Sequence, residues 1–143
     1  TKKKIHTRCA NATDLSFIKD SHIDFICTHP PYANIIKYSK NVDGDISLLT
    51  VEEFLKEMTV VAQEAYRVLR KGKACAVMIG DMRRYGKVVP LGFWVMECFL
   101  SVGFVSKEII IKEQHNCRST DYWEKQNNNF LLLAHEYIFV FQK

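Results

Sequence analysis

Thr28-His29-Pro30-Pro31-Tyr32 follows directly on an apolar run at 23–27, and this junction concentrates the groups most capable of chemistry. A hydroxyl, an imidazole, backbone carbonyls and an aromatic ring stand together in one short loop. Pro30 and Pro31 have fixed φ and no backbone N–H, so a central sheet ladder cannot continue through them. The strand must stop there, and the groups beyond are held stiffly at its carboxyl end. In open α/β sheets, ligands bind in the crevice outside the carboxyl ends of strands. A hydrogen-bonding side chain, free carbonyls and a flat face at that place suit a planar polar ring. Asp81 follows a second apolar run at 74–79 and reads either as lining the same face or as a carboxylate capping local amides.

The elements that must position these groups follow from composition and period. The chain has 143 residues, 48% hydrophobic and 12% aromatic, which predicts one domain with a real core and excludes a disordered chain. A formal net charge of +4 permits an anionic partner without demonstrating one. The five cysteines show no CxxC spacing, and Cys27, Cys75 and Cys98 sit in apolar runs. They read as reduced core thiols of a cytosolic protein rather than as disulfide or metal ligands. No signal peptide and no apolar span of about 18 residues is present, so the expected localisation is cytoplasmic with no membrane insertion. The chain opens at Thr1 rather than Met, and an upstream segment is expected.

Along the chain, residues 3–9 read as a short edge-like strand, followed by a loop carrying Asn11 and Asp14. Residues 23–27 form the next strand, and 33–47 a polar loop. Thr50 with Glu53 makes a capping box, opening a helix to about residue 69 with Phe54, Leu55, Met58, Val61, Ala62, Ala65 and Val68 at helical spacing. Gly72 is expected as its left-handed cap. The continuous apolar run 74–79 predicts a parallel strand buried on both faces. Residues 82–89 read as a basic, polar loop, and Pro90 opens a second helix that Gly103 ends. Trp94 and Phe99 on it are read as core. Strands are expected at 105–112 and 130–141, paired as a hairpin, with one strand antiparallel to the rest. The order β-β-α-β-α-β-β predicts an α/β layered sheet.

The strand at 23–27 with Thr28-His29-Pro30-Pro31-Tyr32 resembles the catalytic motif of amino-methyltransferases acting on exocyclic amines of DNA bases, where Asp, Asn or Ser precedes Pro-Pro-Tyr. Asn11-Ala12-Thr13-Asp14-Leu15 is similar to the acidic loop before that strand. The segment Tyr66 to Lys73 is similar to the helix-to-strand turn of the fold, and His135 to Phe141 to its closing hairpin strand. The resemblance implies a partial Rossmann-like methyltransferase sheet, mostly parallel with a C-terminal antiparallel hairpin strand. It also implies S-adenosyl-L-methionine as cofactor, DNA as partner, and residues 1–143 as the catalytic portion of such a domain with its first strands missing.

By this resemblance Tyr32 stacks on the flipped base and the Pro30 carbonyl accepts one amine proton. His29 accepts the other, although it departs from the usual Asp, Asn or Ser; Thr28 is its substitute, and shaping of the loop is the alternative role of His29. Pro31 completes the motif. Asp14 is a candidate for the cofactor's adenine pocket or for an Asx turn. Asp81 is a second cofactor-side candidate. Arg83, Arg84 and Lys87 either approach DNA phosphates or form a solvated loop. His115, Cys117, Arg118, Tyr122 and Trp123 read as a base-reading segment or as loop packing. The family's Gly-rich strand-to-loop turn has no counterpart here, so a missing N-terminal segment or a second chain is expected to complete the cofactor site. Transfer to cytosine N4 or adenine N6 leads, with Thr-x-Pro-Pro-Tyr leaning towards cytosine N4. An RNA guanine N2-type enzyme, and a non-catalytic fragment or subunit binding nucleic acid or a partner chain, stay open. A homo-oligomer is compatible with all three.

Overall fold

The computed structural model describes residues 4–34, 39, 42, 44–114 and 130–143. Its elements are β1 (Ile23–Thr28), a single 3-10 turn (Ile46–Leu48), α1 (Val51–Val68), β2 (Leu69–Ile79), β3 (Met82–Arg84), β4 (Lys87–Val89), α2 (Leu91–Val102), β5 (Val105–Glu113) and β6 (His135–Gln142). Four strands form one sheet in the order β1-β2-β6-β5. β1 and β2 pair parallel, while β6 is antiparallel to both β2 and β5. Three strands therefore share one direction, and β6 is inserted against them as the returning arm of the expected hairpin.

α1 starts where its sequence says it should. The Thr50 side chain accepts from the Glu53 amide while the Glu53 carboxylate accepts from the Thr50 amide at 3.0 Å. Phe54, Met58, Ala62, Ala65 and Val68 form its buried stripe. Of these, Phe54, Met58, Ala62 and Ala65 pack with Leu91, Val95, Cys98 and Phe99 of α2 and with Cys75, Val77, Ile79, Tyr137, Phe139 and Phe141 of the sheet. The Phe99 and Phe141 rings stack at 5.1 Å. On the other sheet face, Phe25 and Cys27 are exposed.

Several expectations are corrected. No strand forms among residues 4–10, which are exposed and have no ladder partner among the described residues. Gly72 does not cap α1: the helix passes straight into β2 at Leu69, and Gly72, at φ 76°, lies in an irregularity where Ile23 pairs with Leu69 but Phe25 with Ala74. The carbonyls at the helix end are met instead by the Ser21 and His22 amides, which donate to Arg67 O at 3.0 Å and Val68 O at 2.8 Å, and Lys143 Nζ donates to Leu69 O at 2.7 Å. Residues 82–89 are not a loop but the β3–β4 hairpin, turned by Tyr85 and Gly86, both at positive φ as a tight two-residue turn requires. Trp94 lies on the exposed side of α2 and Cys27 on the uncovered sheet face, so neither is core. β6 begins at His135 rather than 130. The segment carrying His115, Cys117, Arg118, Tyr122 and Trp123 lies outside the described residues.

Thr50→Ala removes the side-chain half of the capping box, the acceptor for the Glu53 amide, and is expected to cost about 1 kcal/mol. Phe99→Ala is expected to cost about 3–5 kcal/mol through the cavity it leaves. Urea unfolding midpoints at unchanged m-value check the ranking; a larger loss at Thr50 would contradict the packing described.

Candidate functional site

Because β1 and β2 are parallel and β6 runs against them, the carboxyl ends of β1 and β2 meet the amino end of β6. The loop 28–32, the turn Gly80-Asp81, the start of β6 and the end of β5 therefore converge. The diproline behaves as its chemistry requires: Pro30 is buried, and the chain leaves the sheet immediately after Thr28.

Tyr32 is fixed by its hydroxyl. The oxygen accepts from the Gly80 amide at 2.8 Å and donates to Glu136 Oε1 at 3.0 Å. A Cβ on Gly80 would stand 2.9 Å from that hydroxyl, so glycine is the residue that lets the ring reach the strand end. Glu136 is 5% exposed, and its Oε2 accepts from Lys112 Nζ at 2.6 Å. His29 Nε2 lies 3.6 Å from Glu136 Oε1, within ion-pair range when protonated, and its ring meets Tyr32 edge-on at 6.1 Å. Burial pushes the Glu136 carboxyl up, but bonds from Lys112 and Tyr32 outweigh it and hold the group below its ordinary value.

A second carboxylate stands alongside. Asp81 Oδ1 accepts from the Gly92 amide at 3.0 Å, in the first turn of α2, and Oδ2 accepts from the Tyr137 hydroxyl at 3.1 Å. It thereby supplies the helix N-terminus with the acceptor that Pro90 lacks. His135 Nε2 is 3.1 Å from the same Tyr137 hydroxyl. Burial raises the Tyr137 phenol, and the Asp81 charge adds to this.

The residues expected at the site separate. Thr28, His29, Pro30, Pro31, Tyr32 and Asp81 lie together at the sheet's carboxyl end. Asp14 does not join them: it forms an Asx turn with the Ser16 amide at 2.9 Å, which holds its carboxyl low. Its neighbours are Glu64 and Arg67, near the end of α1 that leads into β2, and Leu15 binds both of these side chains. Arg83 is held in the hairpin, donating to Gly86 O and Leu131 O and lying over the Phe130 ring at 3.9 Å. Arg84 and Lys87 flank the exposed tip at Tyr85. Glu136 and Lys112 were not singled out from sequence. The available signal was a charged residue set inside a strand of bulky apolar ones, one position before Tyr137.

A sequence profile of the DNA methylase family matches residues 23–143. No curated protein matches the sequence. Among solved structures, TTHA0409 from Thermus thermophilus, named a candidate DNA modification methylase, superposes with a TM-score of 0.69 at 23% identity over 94% of this chain and 52% of its own. That protein has also been solved with S-adenosyl-L-methionine. The cytosine-N4-specific PvuII DNA methyltransferase superposes at 0.74 with 16% identity, over 93% of this chain and 47% of its own. The chain thus spans about half the length of these solved chains.

Glu136→Gln is expected to destabilise the fold in a pH-dependent way. The folded carboxyl lies below its ordinary value of 4.5, so its contribution is full above that value and lost as pH falls through the folded one. The stability gap between wild type and variant should be widest near neutral pH and narrow below pH 4.5. Urea unfolding at a series of pH values checks this; a gap independent of pH would show that the charge is not what matters.

Proposed function

The chain belongs to the DNA methylase family, and on that premise we propose that it forms the acceptor side of an enzyme transferring a methyl group from S-adenosyl-L-methionine to the exocyclic amine of a flipped DNA base, cytosine N4 or adenine N6. The observation that carries this reading is the anchored corner at 28–32. Its ring plane is set by bonds from Tyr32 to Gly80 and Glu136, beside a diproline that leaves carbonyls free. A base amine is a poor nucleophile because its lone pair is delocalised into the ring. Acceptors placed on its two hydrogens favour a tetrahedral nitrogen and expose that lone pair. On this reading the Pro30 carbonyl takes one hydrogen. His29 takes the other at Nδ1, with its Nε2 turned towards Glu136. The Tyr32 ring supplies the stacking face.

The cofactor supplies an electrophilic methyl group on a sulfonium. Among the described residues the fit is to the amine and not to this donor. Asp81 uses both oxygens on Gly92 and Tyr137, and the space above Gly80 is filled by the Tyr32 hydroxyl. Among the same residues, no glycine-rich turn follows a strand to hold the methionine portion. We therefore assign the donor's cradle to further polypeptide, in the same or a second chain, laid against the exposed β1 side of the sheet where Phe25 and Cys27 lie. The likeness to solved chains about twice as long supports this assignment. Residues 1–143 are then one portion of a methyltransferase domain. Arg84 and Lys87, at the exposed hairpin tip, suit contact with DNA phosphates, whereas Arg83 serves to hold the hairpin to Phe130 and Leu131.

Methyl transfer by the full-length gene product to duplex DNA, single-stranded DNA and structured RNA tests the reading; transfer to RNA alone would replace it with the RNA guanine N2-type alternative. Tyr32→Ala is expected to lower turnover by about tenfold to a hundredfold, from a lost stacking contact of about 1–3 kcal/mol, with cofactor affinity little changed. Tyr32→Phe keeps the face but frees the ring plane and should fall between. Equal turnover in all three proteins would remove Tyr32 from the acceptor site.

A further inference from the structure

Among the described residues β5 is the end strand of the sheet, and all nine of its residues are exposed. Val105, Ile109, Ile110 and Ile111 each keep roughly half or more of their surface, 61, 49, 48 and 60%. A long apolar edge with unpaired amides and carbonyls is normally shortened, covered or given unpaired charge. This one instead carries charges in an order that matches itself. The sequence reads Lys107-Glu108-Ile109-Ile110-Ile111-Lys112-Glu113. Two copies laid antiparallel about Ile110 place Ile109 against the partner's Ile111 and Glu108 against the partner's Lys112. Parallel in-register pairing would instead set lysine on lysine and glutamate on glutamate. A slip of two residues would set isoleucine against charge. One register is thus specified by sign and by apolarity together.

We infer that β5 is a homodimerisation edge, pairing antiparallel with β5 of a second copy about a two-fold axis at Ile110, so that one sheet runs through both chains. The pairing is isologous, which closes at two subunits. Its length is bounded by the structure. The β5–β6 ladder slips between Ser106 and Glu108, so the regular edge begins at Glu108. The ladder proper then runs from Glu108 to Lys112. Lys112 already donates to Glu136 at 2.6 Å, and its ammonium has two further hydrogens with which to meet the partner's Glu108. The interface would therefore touch the same lysine that anchors the Tyr32 cluster.

Light scattering on the full-length gene product, over roughly a hundredfold range of concentration, reads the assembly. A mass rising to twice that of one chain is expected, and a monomer throughout overturns the proposal. Glu108→Lys sets two lysines face to face and should raise the dimer dissociation constant at least tenfold, with an unchanged circular dichroism spectrum; an unchanged constant also overturns it. The register is read separately by mild oxidation of single-cysteine variants in which Cys9, Cys27, Cys75, Cys98 and Cys117 are replaced. Ile110→Cys lies opposite its own copy and should cross-link rapidly, whereas Ile109→Cys, opposite Ile111, should not. Equal cross-linking at both positions, or none at either, refutes the axis at Ile110.

Discussion

A single buried carboxylate fixes the carboxyl end of the sheet. Glu136 sits on a strand of bulky apolar residues at 5% exposure, where an unpaired charge would cost several kcal/mol. It is tolerated because Lys112 reaches it from β5 and Tyr32 from the loop after β1. The separations in sequence are 24 and 104 residues. Only an antiparallel β6 inserted between β2 and β5 lets one side chain serve both. The inserted strand brings its own amino end level with the carboxyl ends of β1 and β2. Remove that reversal, and Tyr32 has neither its acceptor nor the strand end that donates to it. The chemistry of the loop is thus subordinate to the topology of the sheet.

The division between what was legible in the sequence and what was not follows the range of the interactions. The diproline stop, the capping box at Thr50, the helical stripe of α1 and the end of α2 at Gly103 are set by neighbours within a few residues, and each was readable. The sheet class was readable for a related reason, since helices between strands demand crossovers and a short return demands a hairpin. Gly72 misled because a helix end and a strand irregularity both call for positive φ, and the sequence pattern does not distinguish them. Tyr85-Gly86 concealed a hairpin because its first turn residue is bulky, where Asn or Asp would have signalled it. Cys27 and Trp94 misled differently. Both lie in apolar runs, yet the surface each faces is not covered by the described residues.

Those uncovered surfaces have a common cause. α1 and α2 both pack on one face of the sheet, so that side is finished, with Phe99, Phe139 and Phe141 wholly buried. The other face and the two end strands are not covered by the described residues. On β1 the exposed residues are Asp24, Phe25 and Cys27, and the one charge among them is used locally: Asp24 pairs with Arg70 at 2.9 Å. On β5 the exposed residues alternate sign around an apolar centre. An apolar edge without a charge code selects for area and accepts any strand or helix of suitable shape. An edge with a self-complementary code selects its own copy.

The two proposals meet at Lys112, and physical chemistry says how. An ammonium shared between two carboxylates is stabilised by both, so a partner's Glu108 near Lys112 would compete for orientation with Glu136 without displacing it. Any slackening of Lys112 leaves Glu136 less neutralised. A less neutralised Glu136 attracts His29 more strongly, since its Nε2 lies 3.6 Å away on the exposed side. The consequence would be felt at the loop rather than at the core, because Phe139 and Phe141 pack regardless of where the ammonium points. The anchored corner at 28–32 is therefore rigid through Pro30 and Pro31 but adjustable through Glu136.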